Sequence, residues 1–193
     1  MKVVLVNGSR REKGCTFTAL EVISKTLNER GVETQIFHVG EKAVNGEMNE
    51  VVKEVADAIK GADGFIVGSP VYYASPSGEV VAFLDRLFGV AEADLRFKPA
   101  AAIASARRAG TTATLDVLNK YFLYNQMPVV SSRYWSMVHG NKPEEVLQDK
   151  EGVQIMETIG KNMAWLLKSI EAGKAAGVPQ PEAEQKVFTN FIR

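Results

Sequence analysis

Short apolar runs rich in β-branched residues alternate along this chain with longer segments of helical period, the pattern of a parallel sheet wrapped by helices on both faces. The pattern predicts strands over Lys2–Asn7, Glu33–His38, Gly64–Gly68, Ala100–Ser105 and Met127–Ser132. Helices are predicted over Thr16–Arg30, Asn49–Gly61, Gly78–Phe88, Thr112–Asn125 and Gly152–Gly173. The first and third strands are almost unbroken hydrophobic runs, as strands covered on both faces are. Gly31 and Gly61 follow the first two helices, in the position where glycine ends a helix without a Cβ penalty. Such a doubly wound sheet has strand order 2-1-3-4-5 and binds its ligand outside the carboxyl ends of strands one and three, where the winding reverses. The loops after strands one, three and four are therefore where a site is expected.

Length and charge narrow the class. A chain of 193 residues suffices for one α/β domain, expected over 1–173. Residues 174–193 read as an extended tail ending in the apolar cluster Val187-Phe188-Thr189-Asn190-Phe191-Ile192, which a monomer would expose or fold back and which is a candidate for packing on a neighbouring subunit. Lys+Arg and Asp+Glu both number 23, so neither nucleic acid nor a membrane surface is an expected partner. The N-terminal apolar run is too short for a signal-peptide core, no run approaches a membrane span, and a cytoplasmic protein is expected. The single cysteine, Cys15, excludes a disulfide framework and a Cys-rich metal or iron–sulfur site within one chain, so no metal is expected.

After strand one, Gly8-Ser9-Arg10-Arg11-Glu12-Lys13-Gly14-Cys15-Thr16 runs straight into a helix. Amide groups at a helix N-terminus, with hydroxyls and a guanidinium, suit a dianionic phosphate, and Ser9, Arg11, Cys15 and Thr16 are the candidates. The other reading is a surface turn with solvated basic residues and Thr16 as an N-cap. Nucleotide-loop motifs fail on spacing: Gly8 and Gly14 lie one residue too far apart for a Walker A loop, and they do not supply Gly-x-Gly-x-x-Gly. Cys15 is a candidate for activation by the helix terminus or for a plain packing role.

Strand three ends in Gly68-Ser69-Pro70-Val71-Tyr72-Tyr73-Ala74-Ser75-Pro76-Ser77-Gly78. Prolines that fix the backbone and two tyrosines at a switch-point crevice suit a planar, partly polar ring; alternatively, this is a rigid turn with its tyrosines packed on a helix. Together the two loops describe a mononucleotide with a flat head.

On these residues the chain resembles the NADPH-dependent FMN reductase family of the flavodoxin-like superfamily, over roughly residues 1 to 170. The resemblance rests on Val-Leu-Val-Asn-Gly-Ser-Arg-Arg with Gly14-Cys15-Thr16, and on Asp63-Gly64-Phe65-Ile66-Val67-Gly68-Ser69-Pro70-Val71-Tyr72-Tyr73. The stretch from Tyr124 to Gly140 is similar to the branch related to iron–sulfur flavoproteins, whose compact cysteine cluster this chain lacks. The resemblance implies a flavodoxin-like α/β fold with a five-stranded parallel sheet, and FMN as cofactor with NADPH or NADH as reductant. It implies phosphate contacts from Ser9, Arg11, Cys15 and Thr16, with Phe17 beside them as a further cofactor-binding residue, although the family more often has Ser or Asn where Cys15 stands. Ring contacts are implied from Pro70, Val71, Tyr72, Tyr73 and Ser75, and from Ser105, Arg107 and Gly110 of a third loop that keeps little of the family's glycine content.

In this class the flavin carries the chemistry, so no protein residue need be an acid–base catalyst. Arg107 or Arg108 is a candidate to stabilise charge at the ring edge or to attract the nicotinamide phosphate. Trp135 and His139 are candidates to reach the flavin of a neighbouring subunit in a homodimer or homotetramer. The expected activity is hydride transfer from NAD(P)H through FMN to a small-molecule acceptor such as a flavin or quinone. The competing readings are a flavodoxin-type electron carrier without NAD(P)H activity and a binding scaffold; the balanced charge argues against the carrier, which is typically strongly acidic.

Overall fold

A computed structural model describes residues 1–189 and 191 of the chain; Asn190 and Ile192 of the expected apolar cluster lie outside the described residues. The elements, in order, are β1 (Lys2–Asn7), α1 (Cys15–Asn28), β2 (Glu33–His38), α2 (Gly40–Val44), α3 (Met48–Lys60), β3 (Gly64–Tyr72), β4 (Ser75–Pro76), α4 (Gly78–Val90), α5 (Glu92–Leu95), β5 (Ala100–Ala106), α6 (Thr111–Tyr124), β6 (Met137–His139), α7 (Pro143–Val146) and α8 (Lys150–Ala175).

The apolar run of β1 splits by alternation, since successive side chains of a strand point to opposite faces. Val3 and Leu5 join Leu20, Ile23 and Leu27 of α1 and Ile155, Ile159 and Met163 of α8. Val4 and Val6 join Val55 and Ile59 of α3, Phe83 and Leu84 of α4 and Leu118 and Phe122 of α6. The sheet thus lies between two helical layers, with strand order β2-β1-β3-β5-β6, all parallel, while β4 pairs antiparallel with the end of β3. This is the doubly wound, flavodoxin-like α/β architecture and winding that the sequence predicts. No described helix is long and apolar enough to cross a membrane.

Three expectations need correction. Met127–Ser132 is not a strand: Val129 makes one isolated parallel bridge to Ala100, and the ladder resumes at β6. Pro128 has no N–H to give, and the chain turns off the sheet where Asn162 Nδ2 donates to the Ser131 carbonyl (2.8 Å) and Ser132 Oγ to the Ile155 carbonyl (2.9 Å) of α8. β3 runs four residues past its expected end at Gly68, to Tyr72, because its last residues pair with β4. Gly31 takes the left-handed conformation (φ 74°), but Gly61 does not (φ −96°), so α3 ends in an ordinary turn.

The tail crosses the end of the sheet opposite the carboxyl ends of the strands. Val178–Pro181 line a cavity of about 830 Å³ with Met1, Asp63, Lys98 and Pro99. Lys186 Nζ reaches Glu92 at 2.7 Å and lies 5.6 Å from the centre of the Tyr124 ring. Val187, Phe188 and Phe191 remain exposed.

Candidate functional site

Parallel register places the carboxyl ends of the strands along one edge: Asn7 beside His38 and Gly68, Pro70 beside Ser105, and Ala106 beside His139. Buried Asn7, the last residue of β1, shapes the loop that follows: its Oδ1 accepts the Ser9 N–H (3.1 Å) and its Nδ2 donates to the Glu12 carbonyl (2.8 Å). Ser9 is also buried; its Oγ accepts the Arg11 N–H (3.2 Å), and its carbonyl accepts from His38 Nε2 (2.7 Å). Gly40 lies against the same stretch so closely that a Cβ there would stand 2.2 Å from the Ser9 carbonyl oxygen.

α1 begins at Cys15 with Gly14 as N-cap, no side-chain cap and no acidic residue in its first turn. Its first turn bond runs from the Thr18 N–H to the Gly14 carbonyl (3.0 Å), so the amides of Cys15, Thr16 and Phe17 have no partner among the described residues. Uncapped amides at a positive helix end fit a phosphate dianion, and exposed Arg11 and Lys13 stand on the same loop. Two side-chain details differ from the sequence reading. The Thr16 hydroxyl shares a buried 2.7 Å hydrogen bond with Ser105 Oγ, tying the first loop to the third, and Thr16 is not the N-cap. The Cys15 thiol donates to the Gly140 carbonyl at 3.6 Å, and burial outweighs the backbone hydrogen bond and Arg11 and pushes its pKa above the ordinary thiol value, the direction opposite to activation.

The second loop is a tight hairpin: Val71 pairs with Pro76, Tyr72 with Ser75, and Tyr73 and Ala74 form the turn, both at positive φ (52° and 57°). Two successive positive φ values are the type I′ geometry, which matches strand twist but strains residues other than glycine. Tyr73 is fully exposed and Tyr72 partly so. Ser77 anchors the hairpin base: its Oγ donates to the Gly8 carbonyl (2.9 Å) and caps α4 by accepting the Val80 N–H (3.3 Å). The third loop packs onto this hairpin at Gly110, which has φ 96°; a Cβ there would lie 2.8 Å from Ala74 Cα and 2.9 Å from Val71 Cγ1. Pro70, Val71, Tyr72, Tyr73, Ser75, Ser105 and Gly110 therefore gather around one edge, with Arg107 and Arg108 exposed beside them.

His139 is held within its own chain. Its Nε2 bonds the Arg108 carbonyl (3.0 Å), and its backbone N–H donates to Asp149 Oδ2 (2.7 Å), the carboxylate that also caps α8 through Gly152. Trp135 is exposed and meets Tyr134 edge to face at 4.7 Å.

Sequence reasoning missed Arg10 and Glu79. Arg10 Nε bonds Glu79 Oε1 at 2.5 Å across the loop, at a cavity of about 500 Å³ that Val44, Met48, Tyr72 and Tyr73 also line. Burial alone would raise the Glu79 carboxyl, but a backbone hydrogen bond and the hydrogen bond and charge of Arg10 hold it below the usual carboxylate range. Arg10 beside Arg11 looks redundant in sequence; only the position of α4 separates them.

A family model described as NADPH-dependent FMN reductase matches residues 1–142. An iron-sulfur flavoprotein of Methanocaldococcus jannaschii is 27% identical over 192 residues, covering 89% of this chain and all of the relative. One from Archaeoglobus fulgidus is 26% identical over 196 residues, covering 88% of this chain and 98% of its own. Among solved structures, an NADH:FMN oxidoreductase (EMOB, apo form) superposes with TM-score 0.66 at 24% identity, covering 86% of this chain and 89% of its own, a likeness of fold. A single cysteine cannot supply the thiolate set that iron–sulfur ligation uses, so the likeness to the first two is to their flavoprotein frame. With its winding, its uncapped α1 and the match over three quarters of its length, the chain belongs to the NADPH-dependent FMN reductase family of flavin-binding oxidoreductases on the flavodoxin-like fold.

Proposed function

We propose that this protein is an NAD(P)H-dependent oxidoreductase that holds FMN across its three loops and reduces flavin, quinone or similar small acceptors. The observation that carries the proposal is the uncapped start of α1, where the free amides of Cys15, Thr16 and Phe17 meet Arg11 on a loop held by Asn7. Ser9, Arg11 and these three residues bind the phosphate. Pro70, Val71, Tyr72, Tyr73 and Ser75 carry the ring on one side, with Ser105, Arg107 and Gly110 on the other. Bound FMN supplies two-electron acceptance from a hydride donor and delivery of one or two electrons to an acceptor. Arg107 or Arg108, exposed at the ring edge, stabilises the negative charge that reduction brings. The hairpin leaves Tyr73 in solvent, which supports an open approach for reductant and acceptor in turn.

The chain acts as a homodimer or homotetramer, a reading supported by exposed Leu123, Tyr124, Tyr134, Trp135 and Trp165 and by the apolar end of the tail at 174–193. The in-chain tether of His139 favours a role in fixing the third loop, and Trp135 is the better candidate for contact across subunits.

The test is an absorption spectrum after FMN addition and desalting, followed by anaerobic titration with NADPH and NADH. Retained flavin bleached by either nucleotide is the expected result. Retained flavin that neither bleaches would refute the reductase reading, and loss of all flavin would refute the phosphate assignment.

A further inference from the structure

The loop after β1 sends two adjacent arginines to different places. Arg11 packs against Gly14 at the start of α1, whereas Arg10 reaches Glu79 on α4. Its Nε is taken by that carboxylate, and its two terminal nitrogens have no hydrogen-bond partner among the described residues. The buried Glu79 fixes the fork, so a ligand meeting it orders little that is not already ordered. Behind it lies the cavity of about 500 Å³, within the range of about 300–1,000 Å³ usual for small-molecule sites. Val44 and Met48 make its apolar side, and Tyr72 and Tyr73 are its wall.

That wall is shared. Val71 points to Gly110 and the third loop, and Tyr72, next along the strand, lines the cavity on the other side. A ligand with a flat ring over the hairpin and a second, anionic and partly apolar end would span both. Resting on the proposed use of a nicotinamide reductant, we infer that this cavity receives the adenosine end of the dinucleotide, with the 2′-phosphate of NADPH on the terminal nitrogens of Arg10 and the purine against Val44 and Met48. Arg10 is thereby the residue that prefers NADPH to NADH, because a guanidinium meets a phosphate monoester in two parallel hydrogen bonds and meets a ribose hydroxyl with far less charge.

The test needs no turnover. Calorimetry on the FMN-loaded protein compares adenosine 2′,5′-bisphosphate with adenosine 5′-monophosphate, in wild type and in Arg10→Met. Because that change leaves Glu79 buried without its partner, the pair Arg10→Met with Glu79→Gln is measured as well. The expected result is at least tenfold preference for the bisphosphate in wild type, lost in both variants, with FMN affinity unchanged. Equal binding of the two nucleotides in wild type, or a preference that survives both variants, overturns the inference. Loss of FMN affinity in both variants also overturns it, since Arg10 would then belong to the FMN phosphate. Failure of the bisphosphate to bind wild type, together with a KM for the anionic quinone anthraquinone-2-sulfonate that rises in both variants, would give the cavity to an acceptor instead and overturns it equally. Bisphosphate binding is read independently of flavin bleaching, so failure of the reductase reading and failure of this one are separate results.

Discussion

Replacing Gly110 with alanine tests whether the second and third loops are one unit. Gly110 sits at φ 96°, where an L-residue costs about 1–2 kcal/mol. A Cβ would also stand 2.8 Å from Ala74 Cα and 2.9 Å from Val71 Cγ1, so a hairpin backbone atom must give way, a cost in the overpacking range of about 1–3 kcal/mol. Reduced freedom of the unfolded chain offsets about 0.4–1 kcal/mol. The net expectation is destabilisation of about 1–5 kcal/mol in urea unfolding of the flavin-free protein. Gly46→Ala is the internal control, since Gly46 has φ 87° with nothing within 4 Å of its would-be Cβ. Subtracting its effect leaves the overlap with the hairpin alone. If the hairpin moves, Pro70, Val71, Tyr72 and Tyr73 move with it, and FMN affinity should fall at least tenfold, about 1.4 kcal/mol. Gly110→Ala matching Gly46→Ala in stability, with wild-type FMN affinity, would refute the coupling.

Gly40→Ala should push the Ser9 carbonyl, 2.2 Å from the added carbon, and so weaken FMN binding at least tenfold in a fluorescence titration, although residue 40 touches no expected ligand; unchanged affinity would mean that the loop geometry does not control the phosphate site. Partial burial raises the Cys15 thiol, so its alkylation by iodoacetamide at neutral pH should be slower than that of glutathione and should climb only in alkaline solution, and a rate equal to glutathione's would contradict the half-buried, bonded thiol. Glu79 has a depressed folded-state pKa, so its contribution to stability is present above the unfolded value of about 4.3 and is lost as pH falls through the folded value. Urea melts between about pH 3 and 6 should accordingly show a shallower acid slope in Glu79→Gln than in wild type, and identical slopes would remove the Arg10 pairing.

The fold was readable because β1, β3 and β5 are apolar runs buried on both sides. The fifth strand was misplaced because Met127–Val130 has the composition of a strand, and does bridge Ala100, but Pro128 and the bonds of Ser131 and Ser132 to α8 interrupt it before Met137. Spacing could not find Arg10, since its role depends on Glu79, sixty-nine residues away, and on the cavity between α2, α3 and α4. The hydroxyl of Thr16 was legible as a loop polar group, but its bond to Ser105 joins two loops that are far apart in sequence.

What the site asks of the sequence is mostly backbone shape, and this explains why its motifs are short. In the proposed phosphate site, the amides of Cys15, Thr16 and Phe17 offer their hydrogen-bond donors whatever side chains follow them, because Gly14 leaves the helix end without a side-chain cap. At the strand ends of the site, Tyr73, Ala74 and Gly110 take positive φ on two loops that touch, and strain at the two non-glycine positions persists only where surrounding contacts over-determine it. Those contacts are specific side chains set behind the edge: Asn7 under the first loop, Ser77 under the hairpin, and the Thr16–Ser105 pair between the first and third. A change at any of them should act on cofactor affinity before it acts on the core, because each ties loop to loop at the strand ends while the two apolar layers lie below.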